Sequence, residues 1–331
     1  MRVLVVYYSQ TGDSAAVARA IAEPFESPPD TVRLERLQPA EEYPYPWRSL
    51  LRFFSVLPEC LLGPPPGIQP LSPDVADARF DLVVLVYQVW FLSPSLPVQG
   101  LLASESARVL RNAPVVTVSV SRNMWLSASE RMKDLLLKVG ANHAGNMAVT
   151  HQGPPWATFV TAPRSLLWGR KDPFWGVFPP AGLAPAELDR VRRLGALLRE
   201  RCSRPTNDVP ASLLEGTDAV AVNRRYLIPE CVGWYLFVAW AHLLKGLGRL
   251  GRLPRQLGVA CFIVFLVAAV VVGIPLLSMG TLLVWPLLRR PVAAYVRRLS
   301  TPAGRSPAAA PPEVQTRISE GHSPLETERP S

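Results

Sequence analysis

Residues 9 to 14 read Ser9-Gln10-Thr11-Gly12-Asp13-Ser14. They lie between an apolar, β-branched run at 2–8 and a helical pattern that continues through Ile21. A helix N-terminus leaves backbone N–H groups unpaired, and its dipole favours an anion. Ser9, Thr11 and Ser14 add hydroxyl donors, and Gly12 lets the backbone come close to a ligand. This is the chemistry of phosphate binding. The loop has no lysine and no GxxxxGK[ST] spacing, so it is not of the nucleoside-triphosphate kind. Asp13 is out of place in an anion site. It would repel a phosphate if it pointed inward, so its side chain is expected to face solvent.

Two further segments carry suitable chemistry. Gln88-Val89-Trp90-Phe91 follows a third strand-like run, and Arg122-Asn123-Met124-Trp125 follows a fourth. The Trp90 indole suits a large planar π-system; the plainer reading makes Trp90 and Phe91 loop-anchoring core. Arg122 is open to binding phosphate, steadying charge on a ligand or pairing with an acid. His151 ends a fifth run, as a general base or, the favoured reading, as a hydrogen-bonded structural histidine. Condensation chemistry needs an activated nucleophile, usually Cys with His. Nothing in the sequence puts His143 or His151 beside Cys60, and no catalytic residue is assigned. The four cysteines are far apart without a CxxC pair, which supports neither a metal site nor a disulfide framework. A reducing, cytoplasmic setting fits them.

The elements that must position these loops alternate. Strand-like runs fall at 2–8, Thr31–Leu37, Phe80–Tyr87, Pro114–Ser121 and Gly145–His151, with helical patterns at Val98–Leu110, Ala128–Val139 and Ala184–Cys202. Alternating β and α elements imply a doubly wound parallel sheet with helices on both faces. Five strands with the phosphate loop after the first predict the order 2-1-3-4-5, in which the loops after strands one, three and four meet where ligand binds.

Tyr7-Tyr8-Ser9-Gln10-Thr11-Gly12, with Ser14, resembles the FMN-phosphate loop of flavodoxins. The resemblance implies a flavodoxin-like α/β fold with FMN as cofactor. It places Ser9, Gln10, Thr11, Gly12, Asp13 and Ser14 at the phosphate, and Gln88, Val89, Trp90, Phe91, Arg122, Asn123, Met124 and Trp125 around the flavin. Tyr43-Pro44-Tyr45-Pro46-Trp47, Pro58-Glu59-Cys60-Leu61-Leu62-Gly63 and Tyr87 to Pro94, with Arg122 to Trp125, further resemble flavodoxin-like proteins known as dialkylresorcinol condensing enzymes. That family implies aryl-lipid biosynthesis. The expected activity is an FMN-dependent oxidoreductase on a hydrophobic substrate, such as oxidation of a dialkyl-cyclohexanedione to a dialkylresorcinol beside a partner ketosynthase. A membrane-anchored electron carrier and a non-catalytic scaffold in a lipid-biosynthesis complex are the alternatives.

The chain of 331 residues is 49% hydrophobic and 18% charged, and 35 residues are proline. Residues 1–228 hold 24 basic and 21 acidic side chains, while 231–300 hold eight basic and no acidic ones. Between those basic residues lie 32 uncharged positions, Leu257–Leu288, more than the roughly 20 needed to cross a bilayer. The run sets lipid above nucleic acid as the partner of the basic block. Gly273 and Pro275 interrupt it, leaving a re-entrant hairpin and a single kinked span both open. Met1 leads straight into the first strand, so no secretory signal is expected. The expected organisation is a domain over 1–205 with aromatic, proline-rich insertions at 38–79 and 152–183, and a linker at 206–228. An interfacial basic and aromatic helix at 229–256 follows, then a transmembrane or re-entrant segment at 257–288 and a disordered tail at 300–331. The protein is expected at the cytoplasmic (inner) membrane with its domain in the cytoplasm.

Overall fold

A computed structural model describes residues 1–111, 113–204, 212–273 and Leu277. Val3–Val6 and Leu82–Tyr87 are almost wholly buried, as expected of parallel strands covered on both faces. The strands are β1 (Arg2–Tyr7), β2 (Thr31–Arg36), β3 (Leu82–Trp90), β4 (Ser93–Pro94), β5 (Pro114–Ser121) and β6 (Asn142–Thr150). The sheet runs β2-β1-β3-β5-β6 with every neighbour parallel. This is the expected order 2-1-3-4-5 and a flavodoxin-like fold, with one addition. The two-residue β4 pairs antiparallel with the end of β3, Val89 opposite Pro94 and Trp90 opposite Ser93.

Successive side chains of each strand point to opposite faces. Val3, Val5, Val84 and Val86 face one core layer, under α1 (Asp13–Ala22) and α8 (Pro185–Cys202). Leu4, Val6, Leu85 and Tyr87 face the other. That layer is covered by α5 (Leu96–Ala103) and α6 (Leu126–Lys138).

Both insertions are folded. The first holds α2 (Leu50–Phe54), α3 (Leu57–Leu62) and α4 (Pro73–Ala76). It is closed at its base by backbone hydrogen bonds from Ala40 to Gly67 (2.9 Å) and from Gln69 to Gln38 (2.7 Å). The second holds α7 (Pro155–Trp168) and a tight turn in which Phe174 and Phe178 pair through their backbones.

The C-terminal elements differ from expectation. A single helix over 229–256 does not form. The chain makes α9 (Arg224–Leu250), turns at Gly251 (φ 130°), and returns as α10 (Arg252–Ala268). Glycine tolerates that φ, which a side chain would resist. The apolar run therefore starts inside α10 rather than as its own element, and the choice between a hairpin turning at Gly273–Pro275 and a single kinked span lies outside the described residues. By length and composition, Leu227–Leu250 and Arg252–Gly273 could each cross a membrane, with mean hydropathies of 1.4 and 2.6. Of the linker expected at 206–228, residues 206–211 lie outside the described residues and 224–228 open α9; the run from 274 to 288, apart from Leu277, and the tail at 300–331 also lie outside them.

Gly100 brings α5 against the first insertion. A Cβ built there would lie 2.6 Å from the Pro66 carbonyl oxygen. Gly100→Ala is expected to destabilise the fold by about 1–3 kcal/mol, because backbone must move to admit the methyl group. Thermal or denaturant unfolding of the variant measures this.

Candidate functional site

The loop between β1 and α1 places Gly12 at the helix N-cap in the left-handed region (φ 89°, ψ −15°). Ser9 and Ser14 are buried, and neither hydroxyl oxygen has a hydrogen-bond partner. A buried hydroxyl without a partner is costly, so two at one helix start amount to unused capacity for an acceptor. Thr11 is not free. Its hydroxyl donates to Asp13 Oδ2 at 2.7 Å.

Asp13 corrects the expectation that it faces solvent. It is only 7% exposed. Lys171, from the second insertion, donates to Asp13 Oδ1 at 2.7 Å, and His151 Nε2 lies 3.6 Å from Oδ2. The reason is electrostatic. A carboxylate in the first turn meets the positive end of the helix dipole, and Lys171 offsets its charge. Gly182 closes the same contact, since a Cβ there would sit 3.0 Å from Asp13 Oδ1.

Gln10 is held by the first insertion. Its Nε2 donates to the Pro44 carbonyl at 3.5 Å, and Trp47 Nε1 donates to its Oε1 at 3.4 Å. The phosphate-type loop is thus gripped at Gln10 by one insertion and at Asp13 by the other.

The second expected segment is mostly strand. Gln88, Val89 and Trp90 are the last residues of β3, and only Phe91 and Leu92 form the turn to β4. Gln88 is buried with its Oε1 unpaired, while Val89 packs into the core. Trp90 is 6% exposed, and its ring meets Tyr43 edge-on at 5.1 Å, Tyr8 at 6.1 Å and Trp47 at 6.4 Å. Phe91 turns the other way, to Phe53 (4.9 Å), Phe54 (5.7 Å) and Phe237 (6.5 Å). Phe91 therefore belongs to the packing of α2 and α9, not to the loop of β1.

In the third segment, the Arg122 guanidinium lies 3.9 Å from the centre of the Phe159 ring on α7. Asn123 donates to the Thr158 hydroxyl at 3.4 Å, and Met124 is half-buried. Trp125 is buried with Leu126, Ala148 and Leu227, so its ring packs near the start of α9, in a cluster apart from Trp90. The Ser121 hydroxyl is buried without a partner, and its carbonyl accepts the backbone N–H of His151 at 2.9 Å. Burial pushes the His151 imidazole below its usual pKa. Asp13 opposes that shift, while Lys171 and Arg122 reinforce it.

The structure therefore gathers Ser9, Thr11, Gly12, Asp13, Ser14, Ser121 and Arg122 with His151 and Lys171. Trp90 is placed beside them through Tyr8. Sequence reasoning missed Lys171, one of three cations in a distant insertion with no spacing signal, and did not use Tyr8. A shallow cavity of about 540 Å³ is lined by Glu42–Arg48 and Arg52, and shares Tyr43 and Trp47 with the Trp90 cluster. Cys60 is buried with its thiol pushed up to about 12 by desolvation, and it donates to the Trp90 carbonyl at 3.5 Å. That is a packing role and not a nucleophile's.

No protein-family model and no curated protein matches the chain. Among solved structures, a flavoprotein in complex with FMN from Lactobacillus acidophilus is 18% identical. It matches 44% of this chain and 92% of its own, with TM-score 0.36. A flavodoxin from the domain Archaea is 13% identical over 62% of this chain and 100% of its own, with TM-score 0.33. Oxidised flavodoxin 1 from Bacillus cereus is 9% identical over 59% of this chain and 95% of its own, with TM-score 0.33. The fold itself rests on strand order and parallel register.

The Asp13–Lys171 pair is open to a direct check. Lys171→Met leaves a buried carboxylate short of a donor and is expected to destabilise by about 1–3 kcal/mol. Adding Asp13→Asn should recover part of the loss, as a double-mutant cycle in denaturant would measure.

Proposed function

We propose that the chain is an FMN-binding redox protein held at a membrane, acting on a hydrophobic, alkyl-aromatic or quinone-like molecule. One observation carries the cofactor. The Ser9 and Ser14 hydroxyls are buried and unpaired at the start of α1, where a phosphate would satisfy both. The donor set fits that group, since Lys171 balances Asp13 and leaves the two hydroxyls and the helix N-terminus to meet the anion. Bound FMN supplies electron and hydride transfer at its isoalloxazine ring. The chain's part is to hold the phosphate with Ser9 and Ser14, to wall the ring with Trp90, Tyr43 and Trp47, and to keep His151 uncharged beside Asp13.

The burial of Trp90 beneath Tyr43 and Trp47 favours an enclosed site, hence an enzyme over an electron carrier that presents its flavin edge to partners. Oxidation of a dialkyl-cyclohexanedione to a dialkylresorcinol is the specific case proposed, with carbon–carbon bond formation left to a partner ketosynthase. That case rests on the resemblance of the Tyr43–Trp47 and Tyr87–Pro94 segments.

FMN is expected to bind much more tightly than riboflavin. Ser9→Ala and Ser14→Ala should each weaken FMN binding by about 1–3 kcal/mol, the worth of a charge-assisted hydrogen bond, and leave riboflavin unchanged. Flavin titration by fluorescence reads both. Equal affinity for the two flavins would overturn the assignment of the loop. Anaerobic bleaching of the bound flavin by an alkyl-cyclohexanedione separates the enzyme from the carrier.

A further inference from the structure

The hairpin of α9 and α10 has two unlike faces. Its inner face packs on the domain from end to end. Near the start of α9, Glu230 accepts the Ser127 N–H at 2.7 Å. One turn later, Arg131 of α6 reaches within 6.0 Å of the Trp234 ring while donating to the Leu61 carbonyl. Further along, Phe237 meets Phe91, and Phe262 of α10 meets Phe54 at 5.4 Å. At the turn, Arg255 donates to the Ser55 carbonyl at 2.7 Å and pairs with Glu59.

The outer face is apolar and open. Tyr235, Leu236, Leu243 and Leu250 are exposed on α9, Leu253, Leu257 and Val264 on α10, and Val271 in the turn of helix that follows it. The spacing is that of one helical stripe on each helix. Leu250 is 75% exposed and Val264 70%. A patch of this extent marks a surface that is covered in use.

We infer that α9 and α10 lie in the plane of an anionic bilayer surface, seating the domain on the membrane with the outer stripe in the acyl boundary rather than crossing it. A crossing hairpin would drag its inner contacts into hydrocarbon, including Glu230 and Arg131 at α9 and Glu59 at α10. Ionised groups there cost several kcal/mol each. An in-plane pair keeps these contacts and buries only the open stripe. The charge agrees with lipid as the occupant. Lys245, Arg249 and Arg252 are exposed around the turn, and no acid occurs from 231 to 300. The sequence after Gly273 stays uncharged to Leu288 and then reads Arg289-Arg290. Phe91 and Leu92 touch the inner face of this hairpin, which puts the Trp90 end of β3 one helix away from the lipid.

Depth-resolved quenching by nitroxide lipids tests the seating on the full chain in vesicles of phosphatidylcholine with phosphatidylserine. With Cys202, Cys231 and Cys261 replaced by Ser, a fluorophore is placed at Leu236→Cys or at Leu250→Cys. In-plane seating gives both labels the same shallow depth, roughly 5–10 Å below the headgroups. A crossing helix separates them by about 21 Å at 1.5 Å per residue, and that result overturns the inference. Absence of quenching at both sites also overturns it, because the stripe is then covered by something other than lipid. Leu257→Cys on α10 is a second shallow position should a label on α9 disturb folding. Arg249→Glu with Arg252→Glu should at least halve quenching at Leu250→Cys. Unchanged quenching removes the anionic requirement and overturns that part. Flavin content enters none of these readings, so they stand or fall apart from the cofactor.

Discussion

Phe91 and Leu92 both sit in the left-handed region, with φ of 49° and 60°. Neither is a glycine, and residues held there cost on the order of 1–3 kcal/mol each. The surroundings determine the turn several times over. Ser95 N–H returns to the Gln88 carbonyl at 2.9 Å. Gln99 donates to the Pro94 carbonyl at 2.7 Å and to the Cys60 carbonyl at 2.9 Å. Phe91 is wedged among Phe53, Phe54 and Phe237. This turn ends β3, sends Trp90 towards the first loop and Phe91 towards the helical hairpin, and fixes the first insertion through Cys60. The Trp90 cluster and the inner face of the helical hairpin are joined at these two residues.

The insertions do for this chain what bare loops do in a shorter α/β domain. One grips Gln10 through Pro44 and Trp47, and the other grips Asp13 through Lys171. A loop of hydroxyls and glycine would otherwise be mobile. Held at both ends, it keeps Ser9 and Ser14 buried and aligned, which is the preorganisation an anion site needs. The second insertion also brings Phe159 and Thr158 to Arg122 and Asn123, so the third segment is steadied by the same structure.

The strand order was legible because buried parallel strands leave continuous apolar runs, as at Val3–Val6 and Leu82–Val86. The inward turn of Asp13 was not, because its cation lies far along the chain. Gln88 to Trp90 read as a loop because β4, which extends β3, is only two residues long and has no pattern of its own. Trp125 could be placed only with Leu227 of α9 in view. The break at Gly251 was hidden among Gly246 and Gly248, which sit within α9 although the residue type is the same. Local pattern gave elements, and long-range contacts decided which way side chains turned.

Asp13 and Lys171 are 158 residues apart, and the ion pairs of Arg192 with Glu23 and Arg199 with Asp30 each span 169. Chains are synthesised from the N-terminus at about 5–20 residues per second. The first loop thus leaves the ribosome roughly 8–30 s before the lysine that neutralises it has been made. Strands β1, β2 and β3 can pair in that interval, but Asp13 still lacks Lys171, Glu23 lacks Arg192, and α1 has no α8 to cover it. A nascent chain of this protein therefore carries an open apolar face over α1 until Val191, Leu194 and Leu198 of α8 have been made.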